Sequence, residues 1–151
     1  MKNWFNPSDA ADLIRRLDNL TPDGRPKWGS LTPEALLCHL ADPVRVAIGE
    51  KEATRLSGAL ALPGIAHAIV WFLPWPKGAR TAPEFLPGAG MTAPKEFESD
   101  KRALLDVLRR FSETPKSQEL SPSPVFGRLS RRAWGRLIWR HLDHHLRQFG
   151  L

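Results

Sequence analysis

The stretch Arg140-His141-Leu142-Asp143-His144-His145-Leu146-Arg147-Gln148-Phe149-Gly150 decides how the chain reads. An α-helix turns about 100° per residue, so His141 and His145, four apart, stand one above the other on a single face. With Trp134 set at zero on the helical wheel, Ile138, His141, His145 and Phe149 fall within about 60° of it, while Arg136, Arg140, Asp143 and Arg147 project from the other side. The histidine pair therefore lies in the middle of the apolar stripe. A buried imidazole needs a partner for each nitrogen. Hydrogen bonds to neighbouring groups are the commoner solution, and a divalent metal shared between stacked imidazoles is the other.

A third metal ligand has to come from elsewhere, and the chain has only five histidines, at 39, 67, 141, 144 and 145. His39 is the best candidate. It lies in Thr32-Pro33-Glu34-Ala35-Leu36-Leu37-Cys38-His39-Leu40-Ala41, an amphipathic helical segment whose His39 face also carries Leu36 and Val46. His144 points about 80° from the Trp134 direction, at the edge of the core, and reads as a packing residue that would replace His145 if His145 were not a ligand. His67, alone in an apolar run, reads as structural. Cys38 adjoins His39 but points about 100° away from it, so it reads as a small buried filler rather than a second ligand.

These residues carry a resemblance. A lone histidine in a second helix, followed far downstream by His-x-x-His-His-x-x-Gln at 141–148, resembles the DinB-like superfamily of metal-binding four-helix bundles, which includes YfiT-type proteins and the mycothiol- and bacillithiol-dependent transferases. Trp28-Gly29, Pro74-Trp75-Pro76-Lys77-Gly78 with Thr81, and Phe126-Gly127-Arg128-Leu129 leading to Trp134-Gly135 are similar to one uncharacterised branch of it. The likeness runs from about Arg15 to Gly150. It implies an up-down-down-up bundle with His39, His141 and His145 as the three metal ligands. Many members of that branch carry His-Pro just before the apolar-Phe-Gly turn, where this chain has Ser123-Pro124, so any chemistry of that extra histidine is missing here.

Length and composition bound the reading. The 151 residues suit one domain spanning 1–151, and 42% apolar with 25% charged residues is ordinary for a soluble globular chain. A single cysteine excludes an intramolecular disulfide and suits a reducing, cytoplasmic location. The first residues, Met1-Lys2-Asn3-Trp4-Phe5-Asn6-Pro7, lack the apolar core of a signal peptide. The most hydrophobic run, 59–75, is interrupted by Pro63, Gly64, His67 and Pro74 and falls short of the ~20 residues that a membrane span needs. Between Arg128 and Gly150 six arginines face one acid, Asp143, so most of the +6 net charge sits on the last helix and its lead-in. Such a stripe is usually a solvated face. Without an aromatic platform or recognition motif beside it, nucleic acid ranks as an improbable partner.

In chain order, the first helix starts at Asn6 or Ser8 with Pro7 at its first position, and Ala10, Leu13, Ile14, Leu17 and Leu20 form its apolar stripe. Thr21 to Pro26 breaks it. The second helix opens on a Thr32 cap and Pro33, and Pro43 is expected to kink it beside His39 before it resumes as far as Gly49 or Gly58. A long irregular connection, 51–93, follows, with a short helix at about 64–73. Lys77, Gly78, Arg80 and Thr81 there read either as an anion-binding loop or, by their spacing, as a solvated turn. The third main helix runs from about Pro94 to Ser112 on a core face of Phe97, Leu104, Leu108 and Phe111, and Ser130 caps the last. The expected fold is thus all-α, a four-helix bundle.

Three neutral imidazoles leave the full charge on a divalent ion, and a three-ligand site keeps a position open for water or substrate. The ligand type favours zinc or nickel. The expected function is a metal-dependent transferase, with a low-molecular-weight thiol as a candidate co-substrate, or a hydrolase acting on a small molecule. Asp42, three residues after His39 and within about 60° of it, is the candidate to orient an imidazole or act as base. Gln148, on the flank of the His141 and His145 face, is the candidate to hydrogen-bond a ligand or substrate. The alternative is a non-catalytic metal-binding or interaction protein with a basic C-terminal helix. Six tryptophans leave room for an aromatic interface and a homodimer.

Overall fold

Helix α1 (Pro7–Asp18) begins where the Asn6 side chain accepts a hydrogen bond from the Ser8 amide, and Pro7, with no amide hydrogen to leave unpaired, fills the first helical position. Helix α2 (Pro33–Ala47) repeats the device, with Thr32 Oγ1 accepting from the Ala35 amide at 3.2 Å. It continues through Pro43, which has no N–H to offer the His39 carbonyl, and ends before Gly49, whose φ of +81° favours glycine. Helix α3 (Pro63–Trp71) is short and apolar. Helix α4 (Phe97–Glu113) lacks a side-chain cap at its start, and Asp100 instead reaches back to accept from the Lys95 amide at 2.9 Å. Helix α5 (Arg131–Gln148) is capped by Ser130, whose hydroxyl accepts from the Ala133 amide at 3.2 Å.

The computed structural model describes residues 1–54, 63–75, 85–86 and 89–151, the side chains of Pro63 and Ala66 excepted. Among them are five helices and no strand beyond an isolated bridge between Ser123 and Gly127. The loop of Lys77, Gly78, Arg80 and Thr81, and Gly58, lie outside the described residues. No helix among the described residues is long and apolar enough to cross a membrane.

Helix α2 packs most extensively on α4, and α5 packs on α1, α2 and α3. One core cluster joins Leu13 and Leu17 of α1, Leu36, Leu37 and Leu40 of α2, Leu104, Leu108 and Phe111 of α4, and Trp134, Ile138, Leu142 and Leu146 of α5. Each fully buried leucine contributes about 1.5–3 kcal/mol relative to exposure. Ile14, expected in the stripe of α1, is instead exposed. The N-terminal segment is part of the packing. Trp4 donates its amide to the Gly135 carbonyl at 3.0 Å and its indole N–H to Ser112 at 2.9 Å. A Cβ on Gly135 would stand 2.4 Å from Asn3 Oδ1 and 2.5 Å from the Phe5 ring, so glycine there lets this segment close onto α5.

The arginine face of α5 differs from the solvated face expected of it. The last carbonyls of a helix have no partner within it, and at the end of α3 arginines of α5 supply the donors. Arg140 donates to the Ile69 and Val70 carbonyls at 2.6 and 3.1 Å and also to that of Leu73, and Arg136 donates to Trp71 at 3.4 Å and to the Lys2 carbonyl at 2.9 Å. Burial lowers the pKa of both guanidinium groups. Asp143 is also buried, paired with Arg16 of α1 at 2.7 Å and with Arg147 at 3.0 Å. Much of the basic stripe therefore binds the protein itself.

Candidate metal centre

His39 comes from the middle of α2, where leucines on either side hold the helix against α4 and α5. His141 and His145 come from successive turns of α5. The three rings meet edge to face, with centroids 4.9 Å (39 to 141), 4.7 Å (39 to 145) and 4.8 Å (141 to 145) apart. The Nε2 atom of His39 lies 3.0 Å from that of His141 and 3.1 Å from that of His145. One nitrogen from each ring lies within 4.8 Å of the others, an arrangement that could hold a metal ion.

The outer nitrogens decide what the inner ones are. His39 Nδ1 lies 3.0 Å from the Phe85 carbonyl, and His145 Nδ1 lies 2.7 Å from Gln148 Oε1. Both partners only accept, so each Nδ1 carries the proton and each Nε2 is left with a bare lone pair. His141 can donate one Nε2–H to His39. The contact at 3.1 Å between His39 and His145 then remains lone pair against lone pair, and His141 Nδ1 is buried with no hydrogen-bond partner among the described residues. A cation between the three Nε2 atoms removes the conflict. The two spacings from His39, 3.0 and 3.1 Å, are close to the roughly 3.3 Å that separates nitrogens on a tetrahedral zinc with bonds of about 2.0–2.1 Å.

The rings are in the protonation state that a ligand needs. Burial lowers the His39 pKa, burial and the two neighbouring imidazoles push that of His141 well down, and burial takes His145 to about 3. Cys38 packs with Ala35 and Met91, and burial raises its thiol to about 11. It remains a protonated filler.

The other residues singled out in the sequence fall as follows. Gln148 bridges the site to the chain before α2. Its Oε1 accepts a hydrogen bond from His145 Nδ1–H and its Nε2 donates to the Trp28 carbonyl at 2.6 Å. Gly29, with φ of +75°, makes room for it, because a Cβ there would sit 2.6 Å from Gln148 Nε2. Asp42 is wholly buried and makes no hydrogen bond to an imidazole. Its oxygens accept from Lys51 Nζ at 2.6 Å, the Thr92 amide at 2.8 Å, the Thr92 hydroxyl at 2.6 Å and Arg45 at 3.0 Å. Burial pushes its carboxyl up, but the Lys51 and Thr92 hydrogen bonds outweigh this and hold it below the usual range. His144 touches the rings of His145, Trp28 and Trp75 rather than joining the cluster. His67 lies on α3 among Trp71 and Phe72. Ser123, where the resembling branch has histidine, is buried and accepts from the Phe126 amide at 3.2 Å.

Sequence reasoning missed the Phe85 carbonyl, which arrives from 46 residues downstream of His39 with no side-chain signal. It also missed the link from Gln148 to Trp28. The only trace of that link was the Trp28-Gly29 pair, noticed through the resemblance. No curated protein and no solved structure matches the chain. The sequence pattern of the family described as "Protein of unknown function (DUF1569)" matches residues 53–150, well over half of the chain, taking in His141, His145 and Gln148 but stopping short of His39. The chain belongs to this family.

Proposed function

We propose that this protein is a metal-dependent enzyme of the DinB-like superfamily, a transferase using a low-molecular-weight thiol or a hydrolase, with His39, His141 and His145 holding one zinc or nickel ion. The observation that carries the reading is the meeting of three imidazole Nε2 atoms, two of them fixed as lone-pair donors by the Phe85 carbonyl and the Gln148 amide. The same reading takes residues 1–151 as one domain in which α1, α2, α4 and α5 are the four helices of an up-down-down-up bundle, with α3 inside the connection. The packing of α2 on α4 and of α5 on α1 and α2 supports it.

A divalent cation held by neutral ligands keeps its full charge and supplies Lewis acidity, which lowers the pKa of a thiol or water beside it. The protein's own groups do the rest. Phe85 and Gln148 lock the His39 and His145 rings in one tautomer and one orientation. Three imidazole ligands are one fewer than a closed structural zinc site uses, which is the arrangement of catalytic sites that take a substrate or water in the remaining position. Asp42 works at one remove. It ties Thr92 to α2 directly and Gly90 through Lys51, and so fixes the turn after the segment that presents the Phe85 carbonyl to His39.

Cobalt(II) substitution tests the open shell. Adding cysteine to the cobalt-loaded protein is expected to produce a sulfur-to-cobalt charge-transfer band in the near ultraviolet and to alter the visible spectrum. A spectrum unchanged by cysteine, azide or other small ligands would show a closed site and favour the non-catalytic alternative. The Gln148 link gives a second measurable consequence. Gln148→Leu and Gly29→Ala both free the His145 ring, and each is expected to weaken zinc binding by about 10–100-fold in competition with a chromogenic chelator. Wild-type affinity in both variants would remove Gln148 from the site.

A further inference from the structure

A cavity of about 240 Å³ lies beside the three histidines, lined chiefly by Trp28, Trp75, His144, Arg140, Asp143 and Arg147. None of the three lines it, but two of its lining residues, Trp75 and His144, pack against them. The Trp75 ring is 6.1 Å from that of His141, and the His144 ring meets that of His145 edge-on at 5.1 Å. The His144 imidazole also stands 5.9 Å from the Trp28 ring and 6.0 Å from the Trp75 ring. Three aromatic rings thus line a partly open space smaller than the roughly 300–1,000 Å³ of drug-sized sites, which suits a body of about one ring.

The charges point to an anion. Among the described residues the hydrogen bonds of Arg140 go to backbone carbonyls at the end of α3 and none goes to a carboxylate. Asp143 is held by two arginines, and the inner one, Arg16, is only 16% exposed at 2.7 Å. Asp12, which approaches Arg16 at 3.7 Å, has a partner of its own in Arg15 at 2.6 Å. Arg147 is therefore surplus to the neutralisation of Asp143, and its side chain is 68% exposed at the cavity mouth. The lining keeps an excess of positive charge around apolar walls, and a guanidinium matches the two oxygens of a carboxylate.

We propose that this cavity is the substrate subsite, taking a small carboxylate whose flat apolar body lies among Trp28, Trp75 and His144 and whose carboxylate meets Arg147, with the far end of the molecule turned toward His141 and His145. This deepens the enzymatic reading and rests on it for the word substrate; binding itself does not require the metal.

The test is isothermal titration of benzoate and phenylacetate, with benzamide and benzylamine as neutral and cationic matches, into zinc-loaded and chelator-treated protein. Zinc content is measured on every sample. The carboxylates are expected to bind at least about tenfold more tightly than benzamide in both forms, with benzylamine weakest. Arg147→Gln, at an exposed position that leaves the core intact, is expected to abolish that preference without changing zinc content, and Trp75→Leu to weaken carboxylate and amide alike. Equal binding of benzoate and benzamide overturns the proposal. So does a preference that survives Arg147→Gln and vanishes when zinc is removed, because the carboxylate would then sit on the metal. If zinc fails to bind while the carboxylate preference and its dependence on Arg147 remain, the metal reading falls and the subsite stands.

Discussion

Replacing His39, His141 or His145 by alanine is expected to bring the zinc or nickel content of the purified protein to background, an affinity loss of at least 100-fold, with helical circular dichroism close to wild type. The size follows from the ligand count. Loss of an outer partner of a ligating histidine already weakens metal binding by about 10–100-fold, and loss of the ligand itself removes a bond as well as its orientation. The helices survive because they are held by other residues. Leu36, Leu37 and Leu40 around His39, and Ile138, Leu142 and Leu146 around the α5 pair, are fully buried and keep their neighbours. In metal-free protein the His39 and His145 substitutions even remove one nitrogen from the lone-pair contact between those two residues. Elemental analysis of wild type and variants reads the result, with His144→Ala as the control. If His144→Ala empties the site and His145→Ala does not, the ligand set is wrong.

The parts of this site that follow a helical period were legible in the sequence. Periodicity alone put His141 and His145 on one core face of α5 and His39 on a core face of α2, and the caps Asn6, Thr32 and Ser130 opened helices where expected. Spacing within a helix says nothing about which helices meet. The pairing of residue 39 with residues 141 and 145 came from the short roll of five histidines and from the resemblance, and contacts across more than a hundred residues carry it. Backbone acceptors leave no mark on side-chain identity, which is why the Phe85 carbonyl was invisible and why Arg136 and Arg140 read as solvated when they close the end of α3. Gly135 has a similar explanation. In the sequence it is only part of the Trp134-Gly135 pair of the resemblance, and in the structure it is the place where Asn3 and Phe5 approach α5.

Asp42 is the position where the sequence leaves two roles open, orienting group or base on the one hand and solvated acid at a proline kink on the other, and where the structure shows it wholly buried and hydrogen-bonded to Lys51, Arg45 and Thr92. Asp42→Ala is expected to destabilise the protein by about 3–5 kcal/mol, because it strands Lys51, Arg45 and the Thr92 amide, the partners of a wholly buried carboxylate. For a chain of this size that is a fall in Tm of about 6–20 °C. Zinc should still bind with one-to-one stoichiometry, since no ligand nitrogen contacts Asp42, although affinity should drop modestly as the turn behind Phe85 loosens. The pH dependence fixes the mechanism. The folded-state pKa of Asp42 lies below its ordinary value of 3.8, so its contribution is complete above that pH and is lost as pH falls through the folded value. The gap in stability between wild type and Asp42→Ala should therefore be constant near neutrality and close in acid below about pH 4. Calorimetry across pH, with zinc measured on the same samples, separates this from a base in direct contact with substrate: a base would lose turnover with Tm unchanged, whereas a tether that holds α2 to the 90–92 turn loses Tm first.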